Sequence, residues 1–194
     1  MILMIIQMRQ NLHFEQRSEG WLNQRKGRIT ASAIGAIMGY NPYSTRDDEM
    51  LRMLGICKKF EGNAATEWGT FNEAGAIVEF EMETGLKVEP AYFVEFEEWI
   101  GASPDGYVSD GCLIEIKCPY GKRKGGEFKS IMEQVHYYAQ IQCQLFVTKR
   151  EECYFYQWSP YGTKREIVKR DESFIKDMLI EARNFYEEYL KCKS

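Results

Sequence analysis

Apolar positions recur along this chain at a three-to-four spacing in some stretches and a two-residue spacing in others, and capping and turn residues mark the changes. Thr30 can cap a short helix that runs through Met38 and is ended by Gly39, and Ser44-Thr45-Arg46-Asp47 opens a second that Gly55 ends. A longer helix is predicted from Thr66 to Thr84, closed by Gly85, with Phe71, Ala74, Ile77, Val78 and Phe80 toward the core. Alternation at Leu86–Glu89 and Tyr92–Phe96 predicts strands. Tyr107, Val108, Cys112, Leu113 and Ile114 around Asp110-Gly111 read as a hairpin with a two-residue turn, in which Gly106 faces Glu115. Ser130 to Phe146 reads as a helix with Ile131, Val135, Tyr138, Ile141 and Leu145 on one side. Cys153–Trp158 and Glu166–Lys169 form an outer strand pair, and Asp171 caps a terminal helix bearing Phe174, Met178, Ala182, Phe185 and Tyr189. The class is α/β (α+β), with a central mixed sheet flanked by helices.

The hairpin carries the chemistry. Ser103-Pro104-Asp105-Gly106 enters it and Glu115-Ile116-Lys117 leaves it, and Glu115 and Lys117, two apart, share one strand face. Asp105 lies one position out of register with Glu115 and joins it once the strand bends. Two carboxylates and an amine can bind Mg²⁺ or Mn²⁺, since hard cations take oxygen ligands and offset the repulsion of paired carboxylates. Such a site suits phosphodiester hydrolysis. On an exposed hairpin the same residues would instead be solvated or ion-paired. Glu73 shares a stripe with Ile77 and Phe80 and needs a partner there, either a metal site or a surface lysine. Tyr137 and Gln140, three apart on the next helix, can reach the hairpin together.

Composition narrows the classes. With 194 residues, 44% hydrophobic, the chain is most simply one domain over residues 1–194, with one sizeable core. Six cysteines at positions 57, 112, 118, 143, 153 and 192 have no CxxC spacing and only two histidines accompany them, which argues against zinc and iron–sulfur sites and for reduced, intracellular thiols. Met1–Ile6 is apolar but too short to span a membrane and has no signal-peptide pattern, so it reads as a strand or packing segment. A net charge of −4 does not advertise a nucleic-acid partner. Locally, Lys122-Arg123-Lys124 between Gly121 and Gly125-Gly126 makes a basic loop, either a solvated one or one that holds a DNA backbone beside the carboxylates.

Trp21–Ser32, Ser103–Gly106, Glu115–Pro119 and Tyr137–Gln142, with Gly69–Glu73, occur in an order that resembles the lambda exonuclease family, also called YqaJ-type viral recombinases. The resemblance covers residues 21 to about 158. It implies a PD-(D/E)xK core like that of restriction endonucleases, with Asp105, Glu115, Glu73 and the Ile116 carbonyl holding one or two Mg²⁺ (or Mn²⁺) ions and Lys117 as the catalytic lysine. It also implies that Tyr137 and Gln140 orient active-site groups or substrate, and that Arg25, Ser32 and Ser103 form a pocket for a terminal 5′-phosphate, where a guanidinium binds bidentately. The expected activity is a 5′→3′ exonuclease on double-stranded DNA ends that leaves 3′ tails. A ring-shaped homotrimer, a single-strand annealing protein as partner, no membrane association and a phage gene acting in a bacterial cytoplasm follow from the same likeness. An endonuclease of the same superfamily would use the same Asp105, Glu115 and Lys117. Residues 39–63 have no match to the family's strand-separating elements.

Overall fold

A computed structural model describes residues 14–56 and 62–193; Met1–Ile6 and Cys57 lie outside them. In order, the elements are α1 (Glu19–Arg25), β1 (Ile29–Thr30), α2 (Ala31–Ile37), α3 (Arg46–Leu54), α4 (Ala64–Thr84), β2 (Val88–Glu89), β3 (Val94–Phe96), β4 (Ile100–Ala102), β5 (Gly106–Val108), β6 (Leu113–Lys117), α5 (Val135–Thr148), β7 (Glu152–Ser159), β8 (Gly162–Lys169) and α6 (Glu172–Lys193). A five-stranded mixed sheet runs β2-β5-β6-β7-β8, and a three-stranded sheet runs β1-β4-β3. Strands β6 and β7 are parallel, joined by α5, while the other neighbours in the larger sheet are antiparallel.

Thr45 and Asp171 form the predicted N-caps as hydrogen-bonded caps, whereas Thr30 stands at its predicted place without a side-chain bond to the helix. Thr45 and Asp48 close a reciprocal capping box on α3, and Gly55 ends it in the left-handed conformation. Thr30 precedes α2, Gly85 terminates α4, and Asp171 accepts from the Phe174 amide at the start of α6. Ser130 caps a 3-10 turn over Ile131–Glu133 rather than the helix itself, so α5 starts at Val135. Helix α1 is an addition to the predicted set, and so are strands β1 and β4. Both strands are too short to show alternation.

Three apolar clusters hold the layers. On one face of the larger sheet Ile114, Ile116 and Cys118 pack against Ala76 and Phe80 of α4; on the other, Leu113, Cys153 and Phe155 meet Ile141 and Leu145 of α5. A third cluster joins α2, α5, α6 and β4 through Ile34, Ala139, Cys143, Met178 and Phe185. Helix α5 is therefore buried on two sides, against sheet and helices, and a single stripe could not describe it.

The stripe predicted for α4 is corrected. Phe71 is 85% exposed and Val78 56% exposed, whereas Ala76 and Phe80 are fully buried. Small Ala76 lets the helix approach the sheet, and Phe80 fits edge-on between Tyr154 and Tyr156, with ring centroids 5.2 and 5.3 Å away. Burying a phenylalanine is worth about 1.5–3 kcal/mol, so this seat fixes the helix rotation and turns Phe71 to solvent.

The hairpin turn is corrected as well. Gly106 pairs with Ile114 and Tyr107 with Leu113, and the Val108 amide donates to the Cys112 carbonyl, which leaves Ser109-Asp110-Gly111 as a three-residue turn. Gly111 takes φ +94°, the left-handed position that such a turn requires. Helix α2 meets α5 at Gly35, where a Cβ would lie 2.8 Å from His136 Cβ and 2.9 Å from its Cα. Gly35→Ala should thus force the helices apart at a cost of about 1–3 kcal/mol, lowering the urea midpoint followed by circular dichroism. An unchanged midpoint would refute this close packing.

Candidate active site

The three-residue turn shifts the register so that Asp105 lies opposite Glu115. Its amide donates to the Ile114 carbonyl at 3.1 Å, and its own Oδ2 accepts from the Ile116 amide at 2.6 Å, so Asp105 is tied on both sides of Glu115. Residues 113, 115 and 117 of β6 face α5, as the alternation requires. Glu115 is 2% exposed there.

A carboxylate at that depth needs donors. Lys117 Nζ and Gln140 Nε2 donate to Glu115 Oε1 at 2.5 and 2.6 Å, and Gln144 Nε2 donates to Oε2 at 2.6 Å. The structure thus joins Glu115, Lys117 and Gln140 as the sequence predicts, and adds Gln144. The signal for Gln144 is its spacing: it lies four residues after Gln140, on the same helix face. Tyr137 places its ring 4.7 Å from Lys117 Nζ, a cation–π contact that steers the amine.

Burial first, and then the charges of Glu115 and Glu73, push the Asp105 carboxyl well above the usual range, with Lys117 opposing. Burial would lower the Lys117 amine, yet Glu115, Tyr137 and Asp105 together hold it above its ordinary value. Glu73, on the side of α4 that faces the sheet, bonds Arg17 of the N-terminal segment at 2.7 Å, where the sequence left a metal site or a surface lysine open as its partner. Among the described residues no three acid, histidine or cysteine side chains converge into a ready-made ligand cluster. The donor set nevertheless fits a hard divalent cation: all its members are oxygens, and the excess of negative charge that raises Asp105 is only partly offset by Lys117.

Glu73, Ile116, Lys117 and Tyr137 open on a cleft of about 2260 Å³. Among the described residues eight lysines or arginines line it against three glutamates, so a chain of net charge −4 presents a basic cavity. Arg25 and Ser32 line it too. Burial pulls the Arg25 guanidinium down to about 10, with Glu49 opposing. Ser103 connects to this pair through Trp21, whose indole N–H donates to Ser103 Oγ at 2.9 Å while its ring lies 4.0 Å under Arg25. In the basic loop Lys122 lines the cleft, Arg123 folds over the Tyr120 ring at 3.8 Å, and Lys124 is exposed away from the cleft lining.

A mixed sheet that carries Pro-Asp and Glu-x-Lys on adjoining strands, with helices on both faces, defines a nuclease core of the PD-(D/E)xK type. Residues 20–151 match the YqaJ-like viral recombinase domain, and the chain belongs to that family. Among solved structures it is similar to LHK-Exo, an alkaline exonuclease from Laribacter hongkongensis that has also been seen in complex with dAMP. The TM-scores are 0.74 and 0.75, at 28% identity over 90% of this chain and 93% of that one. A phage-related exonuclease from Haemophilus somnus shares the fold, with a TM-score of 0.65 at 19% identity, over 89% of this chain and 99% of that one. Uncharacterized protein R354 of Acanthamoeba polyphaga mimivirus is 28% identical over 84% of this chain, which spans only 32% of that protein's length. No helix among the described residues is long and apolar enough to cross a membrane.

Gln144→Leu should leave Glu115 Oε2 buried without its donor, at a cost of about 1–3 kcal/mol. The melting temperature should fall by roughly 2–12 °C, and adding Glu115→Gln should recover part of the loss by removing the buried charge. Thermal unfolding of the two variants measures both effects.

Proposed function

We propose that the chain is a divalent-metal-dependent deoxyribonuclease that degrades one strand of linear duplex DNA in the 5′→3′ direction from 5′-phosphorylated ends, leaving 3′ single-stranded tails. The observation that carries this reading is the buried Asp105–Glu115–Lys117 constellation, in which Gln140 and Gln144 hold Glu115, the Ile116 amide holds Asp105, and Lys117, over Tyr137, lines a basic cleft. Family membership and the likeness to an alkaline exonuclease support it.

Asp105, Glu115, Glu73 and the Ile116 carbonyl are the residues to hold one or two Mg²⁺ ions, or Mn²⁺. A bound cation would stabilise charge growing on the phosphate and on the departing 3′ oxygen, and would ease deprotonation of water. Lys117 orients the attacking water and balances negative charge in the transition state. Gln140 and Gln144 donate to both oxygens of Glu115 and so keep it an acceptor at a fixed position. Arg25, Ser32 and Ser103 anchor a terminal 5′-phosphate, with Trp21 setting the positions of the first and last. Lys122 is the loop cation available to the DNA backbone. In this reading the chain works as one domain, three copies close a ring around DNA, and a single-strand annealing protein takes the 3′ tails.

Incubation of linear and closed-circular duplexes with Mg²⁺, labelled at either end, tests the proposal. The 5′ label should be released first, the circle should survive, EDTA should stop the reaction, and Lys117→Ala should slow turnover by roughly 10²–10⁴-fold while DNA binding changes little. Cutting of the circle would assign an endonuclease instead, and parental turnover by Lys117→Ala would falsify the mechanism.

A further inference from the structure

Aromatic rings step outward from Lys117. Its amine lies over Tyr137; the Tyr137 and His136 rings are 4.0 Å apart between centroids; and His136 meets Tyr43 edge-on at 6.2 Å. Tyr43 ends this series 85% exposed, and all four residues line the basic cleft.

The backbone that carries the outer ring is anchored. Tyr40 and Asn41 amides both donate to the Gly35 carbonyl, at 2.7 and 3.0 Å, and the Tyr43 amide donates to Asn41 Oδ1 at 2.9 Å across Pro42. Gly35 in turn packs directly on the backbone of His136. The loop that bears Tyr43 and the helix that bears His136 and Tyr137 therefore share one anchor. His136 Nε2 is shut off from solvent and has no hydrogen-bond partner among the described residues.

An exposed aromatic ring on an anchored loop, in a cleft that eight cations and three carboxylates line among the described residues, matches a polyanion whose units carry π faces. Single-stranded nucleic acid has that chemistry: its phosphates meet the cations, and an unpaired base has a face free to stack on tyrosine, as a base within a duplex does not. We propose that Tyr43, backed by His136 and Tyr137, is a stacking subsite for unpaired nucleobases of the strand whose phosphates reach Lys117. This rests on the nuclease reading above and gives the cleft a means of keeping the strand end apart from its complement: a base stacked on Tyr43 is a base withdrawn from pairing.

The test is equilibrium binding by fluorescence anisotropy, in EDTA, of the full chain to a 5′-phosphorylated six-nucleotide single strand and to an abasic strand of the same length. The base-bearing strand should bind roughly 5- to 150-fold more tightly. Tyr43→Ala should abolish that difference while leaving the abasic affinity unchanged, and Tyr43→Trp should preserve it. Equal affinities for the two strands, or a full preference retained by Tyr43→Ala, would overturn the subsite and leave the nuclease reading intact. A chain that binds neither strand yet degrades linear duplex in Mg²⁺ also overturns the subsite alone. If it binds neither and leaves the duplex whole, both readings fall.

Discussion

Glu115 brings a negative charge to a depth where water reaches almost none of it, and much of the surrounding structure is arranged around that constraint. An uncompensated carboxylate there would cost several kcal/mol, so its oxygens must be met by donors held in place. Lys117 comes from the same strand, while Gln140 and Gln144 come from α5. Helix α5 can keep both glutamines over β6 because its other side is locked between α2 and α6. The apolar packing of the helices thus has a polar consequence, which is a carboxylate held at a fixed position behind Lys117, whose side chain lines the cleft.

The same economy governs charge at larger scale. Acidic residues outnumber basic ones over the whole chain, yet the cleft is basic, so the sign of the net charge says little about what this protein can hold. Residues 14–25 add to this local field from outside the sheet. Arg17 pairs with Glu73, Gln16 Nε2 donates to the Pro104 carbonyl at 2.9 Å, and Trp21 links Arg25 to Ser103. Arg17 does so with φ at +71°, a conformation that is costly for a residue with a side chain, and it lies beside a candidate metal-binding acid.

Where sequence and structure part, the differences have physical causes. The α4 stripe was misread because Phe71 and Val78 are apolar and correctly spaced, and hydrophobicity alone does not say which of two apolar faces meets the sheet; the fit of Phe80 between two tyrosines does. Helix α5 carries apolar residues nearly all round, so periodicity gave its existence without its depth. Gln144 shares a helix face with Gln140, but a glutamine reads as solvent-facing until the carboxylate opposite it is known. Asp110-Gly111 marked the turn correctly, but the length of the turn depends on where the flanking strands pair.

Asp105, Glu115 and Lys117 were legible from the chain alone, because strand alternation puts Glu115 and Lys117 on one face whatever the tertiary context, and a hairpin must bring Asp105 near them. The caps at Thr45 and Asp171 and the longer helices and strands were legible because they rest on contacts within a few residues. Long-range contacts decided the rest. The one-residue shift that places Asp105 opposite Glu115, the glutamines that satisfy a buried charge, the basic cleft drawn from an acidic chain and the aromatic series from Lys117 to Tyr43 all join segments distant in sequence. Such contacts are selected by burial and packing between elements, and local pattern names at most one partner of each.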